Sequence, residues 1–330
     1  YELRGGFGLE NLALTERPTP TPGPGEVQIR LRAVSLNYRD LLVLKGHYNP
    51  RLPLPRIPVS DGAGEVTALG PGVTRFKVGD RVAGAFMPGW AEGRLNDDKA
   101  RSALGGVVDG LLCETAVLPE TGVVNVPGHL SDEEAATLPC AAVTAWNALR
   151  AGDLQPGETV MVQGTGGVSL FALQFARLAG ARVIATSSSD DKLQRVRDLG
   201  ASDTINYRTT PEWGDVVRKL TSGGVDHIIE VGGAGTLNQS LRAVRTAGHI
   251  ALIGVLGGAG DCNPIPILMK AVRVTGIFVG SRSDFEAMNR AIELAGMRPV
   301  IDRVFPFEQA VDALRHLESG SHMGKVVIRM

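Results

Sequence analysis

Gly164-Thr165-Gly166-Gly167-Val168-Ser169 is the stretch whose residue types and spacing most directly specify a chemistry. It follows the apolar run Val160-Met161-Val162-Gln163 and precedes a helical pattern from Val168 to Ala179, so its glycines fall on a turn between strand and helix. Gly164 permits the tight turn. Gly166 lets backbone approach a pyrophosphate, which the exposed N–H groups and positive end of the helix attract. Ser169 replaces the usual third glycine and is small enough to keep helix and strand close. A dinucleotide is therefore expected against Gly164, Thr165, Gly166, Gly167 and Val168, the alternative being a structural Gly-rich turn.

The end of the next strand selects the cofactor. An NAD site usually carries Asp or Glu there for the ribose 2′-hydroxyl, whereas this chain has Thr186-Ser187-Ser188-Ser189. With no carboxylate at that tip, a 2′-phosphate is not repelled, and Ser187, Ser188, Lys192 and Tyr207 are candidates to bind it. NADPH is the expected cofactor. Lys192 taken alone also reads as a solvated lysine behind a serine cap.

Composition sets the class of protein. The 330 residues are 43% hydrophobic and 21% charged, ordinary for a chain with two domains. Lys and Arg number 34 against 35 Asp and Glu, so no basic excess favours nucleic acid. The longest uncharged run, 159–176, is interrupted by Gln163, Gln174 and glycines and is a poor membrane span. The chain begins at Tyr1 without Met and without an apolar signal core; a cytoplasmic protein is expected. Three scattered cysteines give neither a disulfide framework nor a Cys-rich zinc motif.

The elements fall into two grammars. Short strands at 26–34, 64–69, 81–85 and 112–118, separated by Pro/Gly turns, predict a β-rich domain over 1–140. Over 141–279, strands at 160–163, 182–186, 203–206, 226–231, 249–255 and 272–279 alternate with helices. That pattern predicts an α/β domain with a parallel, doubly wound sheet. Residues 280–330, with helices 284–295 and 307–319 and a strand 325–329, are assigned back to the first domain.

Pro24-Gly25-Glu26-Val27, Ser35-Leu36-Asn37-Tyr38-Arg39-Asp40, Asp61-Gly62-Ala63-Gly64-Glu65-Val66, Val78-Gly79-Asp80-Arg81-Val82, the Gly164 turn and Leu199-Gly200-Ala201 occur in one order. Through them the sequence resembles the medium-chain dehydrogenase/reductase superfamily over essentially its whole length. The resemblance implies a GroES-like catalytic domain, a Rossmann cofactor domain and an active-site cleft between them. Zinc alcohol dehydrogenases of that superfamily place Cys, His and Cys where this chain has Asn37, Asp61 and Cys140. Only Cys140 is retained, and it is read as a buried thiol. Their four-cysteine lobe is also missing, since no cysteine lies between Met87 and Leu112.

The branch it looks like is that of the zinc-free quinone oxidoreductases and enone reductases. That likeness gives Asn37 and Tyr48 the role of donors to an acceptor oxygen, with Tyr48 also able to stack on a planar ring; Asp40 matches the branch pattern. Read by themselves, Asn37 and Asp40 are caps of a turn and a helix, and Tyr48 is a packing aromatic; both possibilities stay open. Segments holding Gly232, Gly254, Val255, Phe278 and Gly280 resemble those lining the nicotinamide, and Arg282 reads as a contact or a surface arginine. The implied activity is zinc-independent, NADPH-dependent reduction of a quinone or α,β-unsaturated carbonyl compound. The alternatives are an NADP-dependent alcohol or aldehyde dehydrogenase and a non-catalytic NADPH-binding protein. The apolar strand 272–279 predicts edge pairing in a homodimer.

Overall fold

The computed structural model describes every residue except 255, 258 and 259, so the expected role of Val255 lies outside the described residues. Two compact units divide the chain: Tyr1–Val143 together with Gly280–Met330, and Thr144–Val279.

The first unit is built on a mixed seven-stranded sheet. Its centre is the strand Glu26–Leu36, which buries Val27, Ile29, Leu31 and Ala33 while alternate polar residues face away, the pattern of a half-buried strand. From Ala33 to Leu36 every residue is buried, because other elements cover both faces of this end. It pairs antiparallel with Asp61–Leu69, Thr115–Pro119 and the terminal strand Lys325–Arg329. The register Val326 opposite Leu36 and Ser35 opposite Asp61 brings the starts of two distant strands beside Asn37.

Six parallel strands form the sheet of the second unit, in the order Asp203–Asn206, Arg182–Ser187, Thr159–Gln163, Val225–Glu230, Val244–Leu252 and Arg273–Gly276. Numbered along the chain this is 3-2-1-4-5-6, the doubly wound arrangement in which ligands bind beyond the carboxyl ends of the strands. The helix Gly167–Leu178 packs Leu170, Phe171, Leu173 and Phe175 inward.

The last strand corrects the sequence-based expectation. Instead of a buried strand over 272–279, only Arg273–Gly276 is extended, with Arg273 and Gly276 exposed and the two residues between them partly so. Val279 adopts φ 59°, a left-handed conformation that a β-branched residue rarely takes and that no strand can continue. The Asn147 Nδ2 holds it, donating to the Val279 carbonyl at 2.7 Å.

Candidate functional site

In the first unit, Asn37 is the residue before the helix Tyr38–Leu44. The cap of that helix comes from Asp40, whose Oδ2 accepts from the Asn37 N–H at 2.8 Å. The Asn37 side chain serves elsewhere. Its Oδ1 accepts from Lys325 Nζ at 2.5 Å, and the same ammonium donates to the Leu36 carbonyl at 2.6 Å. Lys325 is only 3% exposed and Asn37 9%. The Asn37 Nδ2 is buried without a hydrogen-bond partner; it stands near enough to Asp61 to help hold that charge, but not at hydrogen-bonding geometry.

Asp61 is fully buried, its Oδ1 accepting from Ser60 Oγ at 2.7 Å and its Oδ2 from the Cys140 N–H at 3.0 Å. Burial raises its pKa, against the opposing pull of Lys325 and these donors. Burial likewise raises Asp40, to about 6, with the neighbouring Arg39 guanidinium pulling the other way. Cys140 lies on a π-helical turn, Leu138–Ala142, a local widening often found at functional sites. Burial, then the Asp61 charge, pushes its thiol far above the ordinary range.

This donor set does not fit a zinc ion. A zinc site needs about three converging N, S or O ligands, with sulfur as thiolate. Here the Asn37 oxygen is occupied by an ammonium and both Asp61 oxygens already accept hydrogen bonds.

Tyr48 stands at the edge of the same cluster, 39% exposed. Arg39 lies 4.8 Å from its ring centre and 4.7 Å from that of Phe86, a guanidinium between two aromatic faces. Arg39 also donates to the Leu104 carbonyl at 2.7 Å, which ties down the stretch after Trp90. Arg282 pairs with Glu286 at 3.3 Å and donates to the Thr121 carbonyl at 3.2 Å, so its side chain serves the first unit itself.

In the second unit, Gly164 has φ 72°, which explains glycine there. Gly166 is different: its φ of −76° suits any residue, and a Cβ built on it meets nothing within 4 Å. Folding does not demand glycine at 166, whereas a phosphate approaching the backbone does. Ser169 is buried and donates to the Gln163 carbonyl at 2.6 Å, fastening helix to strand where a third glycine would allow close packing. Thr165 is buried, while Gly167 and Val168 are partly exposed at the head of the helix. These residues fit a pyrophosphate.

At the end of the second strand, Ser188 and Lys192 are partly exposed and Tyr207 is 42% exposed. Ser187 departs from expectation: it is 3% exposed and its Oγ accepts from the Ser189 N–H at 3.3 Å, because it still belongs to the buried strand. Asp190, which the sequence reading passed over, follows the serines and accepts from Asn206 Nδ2 at 2.8 Å.

Gly232 and Gly254 owe their identity to the chain itself. A Cβ at 232 would lie 2.2 Å from Thr236 Oγ1, and one at 254 would lie 2.1 Å from the Val231 carbonyl. The carboxylate of Glu230 holds this loop, accepting from the N–H groups of Gly232 and Gly233 at 2.8 and 3.0 Å. Phe278 is 39% exposed, and Gly280 is required by Val143, 2.7 Å from its would-be Cβ.

Besides Asp190, sequence reasoning missed Lys325 and Glu230. Each is a charged residue at a buried strand position next to an apolar pair, Lys-Val-Val and Ile-Ile-Glu, and that anomaly is legible in the sequence.

Residues 23–128 match a family profile described as alcohol dehydrogenase GroES-like domain, and residues 167–293 one described as zinc-binding dehydrogenase. A zinc-type alcohol dehydrogenase-like protein of Schizosaccharomyces pombe is 46% identical over 91% of this chain and 89% of its own. Among solved structures, an alcohol dehydrogenase candidate of Sinorhizobium meliloti is 47% identical with TM-score 0.90, covering 96% of this chain and 94% of that one. A protein described as an NAD-dependent alcohol dehydrogenase is 37% identical with TM-score 0.90, covering 100% and 98%. A mycobacterial protein complexed with NADPH is 28% identical with TM-score 0.84, covering 100% and 98%. With a parallel doubly wound unit and a GroES-like unit in one chain, this protein is an alcohol dehydrogenase-like oxidoreductase of the medium-chain dehydrogenase/reductase superfamily.

Proposed function

We propose that the protein reduces quinones or α,β-unsaturated carbonyl compounds with NADPH and without zinc. The observation that carries this is the Asn37 Nδ2, an uncharged donor without a hydrogen-bond partner beside the engaged oxygens of Asn37 itself and of Asp61. Gly164, Gly166 and the head of the following helix would hold the cofactor, which would supply the hydride. Asn37 and Tyr48 meet the charge that gathers on the acceptor oxygen with N–H and O–H donors, preorganised in place of a Lewis acid. The exposed face of Tyr48 suits a flat conjugated acceptor.

NADPH is favoured over NADH by Ser188, Lys192 and Tyr207 around a strand end whose nearest acid, Asp190, is engaged by Asn206. A homodimer is favoured by the end strand Arg273–Gly276 and the neighbouring helix, where Ile265, Leu268 and Met269 are 61, 79 and 74% exposed; sedimentation as a monomer at micromolar concentration would remove that part.

The deciding experiment is oxidation of NADPH and of NADH against quinones, enones, enoyl thioesters and aldehydes, with and without chelator. Turnover of a quinone or enone with NADPH, insensitive to chelation, is expected. Activity confined to alcohols and aldehydes and lost with zinc would make the protein an ordinary zinc alcohol dehydrogenase, which the names of its relatives favour. Tight NADPH binding with no turnover would make it a binding protein.

A further inference from the structure

A carboxamide has two edges of nearly the same shape, one accepting and one donating, and its environment decides which faces a substrate. Around Asn37 the oxygen edge is claimed by one residue. Lys325 comes from the terminal strand, 288 positions away, and its Nζ reaches Asn37 Oδ1 at 2.5 Å and the Leu36 carbonyl at 2.6 Å. An ammonium only donates, so it can be satisfied by the oxygen edge and never by the nitrogen edge. Turning the amide over would set Nδ2 against three N–H groups and leave a buried cation short of an acceptor. The buried and unmatched Nδ2 is the consequence. Leaving such a donor unmade costs about 1–3 kcal/mol, which the nearby Asp61 charge offsets only in part.

The cation has a second effect. It sits directly on Asn37, which with Asp61 and Cys140 occupies the zinc-ligand positions, and Asp61 in turn accepts from the Cys140 N–H. A dication brought to these residues would meet a fixed positive charge held by two short hydrogen bonds.

We propose that Lys325 is the resident cation of this site: it fixes Asn37 by its oxygen edge so that Nδ2 remains the donor to the acceptor oxygen, and it excludes a metal ion. Lys325 is a positioning residue, and the positioning half of the proposal rests on the donor role given to Asn37 above.

The test is a double-mutant cycle, Lys325→Met with Asn37→Ala, read by single-turnover NADPH oxidation with a quinone or enone and by NADPH titration in parallel. Lys325→Met should slow hydride transfer about 10- to 100-fold with cofactor affinity unchanged. The double variant should be no slower than the slower single one, because both remove the same donor. Losses that multiply, or a Lys325→Met rate equal to wild type while Asn37→Ala is slow, would overturn the positioning role and leave the donor role standing. If Asn37→Ala itself retains the wild-type rate, the donor reading fails first.

A cobalt(II) titration provides a readout independent of turnover. Lys325→Met should bind the ion at least roughly tenfold more tightly than wild type, with a cobalt–thiolate absorption from Cys140; equal affinities would overturn the exclusion. Should Lys325→Met fail to fold, Lys325→Gln is measured instead. It keeps an N–H for Asn37 but can face the amide with either edge, so a several-fold slower rate is expected and an unchanged rate would refute the proposal.

Discussion

Each unit contains a buried carboxamide gripped by a charged residue, Gln163 by Glu230 and Asn37 by Lys325, and these two are opposites. In the second unit the nitrogen of Gln163 donates to Glu230 Oε2 and to Ser240 Oγ, both at 2.7 Å, while its Oε1 accepts from the N–H groups of Val231 and Gly232 at 3.2 and 3.4 Å. An anion takes the donor edge, and the acceptor edge is filled as well. At Asn37 a cation takes the acceptor edge and the donor edge is left open. A completed network of this kind rigidifies, whereas an incomplete one in a native protein calls for an explanation, a catalytic role among them. The glycine loop held by Glu230 is thus a fixed frame, and Asn37 is the group to which the proposed function gives something left to bind.

That contrast predicts different currencies of damage. Gln163→Ala leaves several buried groups short of partners and should cost about 3–5 kcal/mol of stability, seen as a lower denaturant midpoint. Asn37→Ala should cost about 2.7–4 kcal/mol in the barrier to hydride transfer, with a stability loss of only about 1 kcal/mol. Comparable stability losses in the two variants, with a normal rate in Asn37→Ala, would erase the distinction.

Next in size is Gly166→Ala. Because the position has ordinary dihedrals and open space, the variant should melt like wild type yet bind NADPH about 1.5–3 kcal/mol more weakly, as phosphate is pushed from the backbone donors. A lowered melting temperature with intact affinity would mean that the glycine serves the fold.

The glycine turn after the first strand of the second unit was legible in the sequence because its demands are made on backbone, and backbone demands select glycine. Gly164 and Gly166 could be named, with a reason for each, from strand, turn and helix alone. The neighbourhood of Asn37 was only half legible. Asn37 and Tyr48 came through family resemblance, but Lys325 is joined to them by a strand pairing across most of the chain, and no local pattern announces a register. The strand over 272–279 was overextended for a local reason: apolar, β-branched residues read as strand, while the left-handed turn at Val279 is imposed by packing and the Asn147 hydrogen bond. Ser187 likewise looked like a ligand-facing serine because nothing in its neighbours tells which face of the strand end it takes.

The second unit has its own unfilled atoms, and they test whether an orphan always means a ligand. His227 and His249 lie edge to face with ring centres 5.8 Å apart, with His227 Nδ1 and His249 Nε2 unpartnered. Burial, then His227 and Arg273, depress His249 to about 4. Its unfolded value is about 6.5, so between these limits the unfolded chain binds the extra proton. The neutral histidine therefore contributes stability that is complete above pH 6.5 and lost as pH falls toward 4, by up to about 3 kcal/mol. Denaturant titrations at pH 7 and pH 4.5 should show that slope in wild type and a shallower one in His249→Phe. Equal slopes would remove His249 as the cause. Here the orphan yields acid sensitivity rather than binding.

The smallest effect belongs to Tyr48→Phe, and it separates the two halves of that side chain. The ring is fixed by Arg39, stacked between Tyr48 and Phe86, and phenylalanine preserves that packing. Only the hydroxyl is lost. Since Tyr48 is 39% exposed, water can replace the phenol at the acceptor oxygen, and the loss in hydride transfer should be about 0.5–1.5 kcal/mol, well below that of Asn37→Ala. Tyr48→Ala should cost more, because Arg39 loses one aromatic face while its Nε and Nη2 are already without partners. The measurement is single-turnover NADPH oxidation in both variants, with melting temperatures beside it. A Tyr48→Phe loss as large as that of Asn37→Ala would make the phenol an equal donor, since a replaceable group cannot produce it.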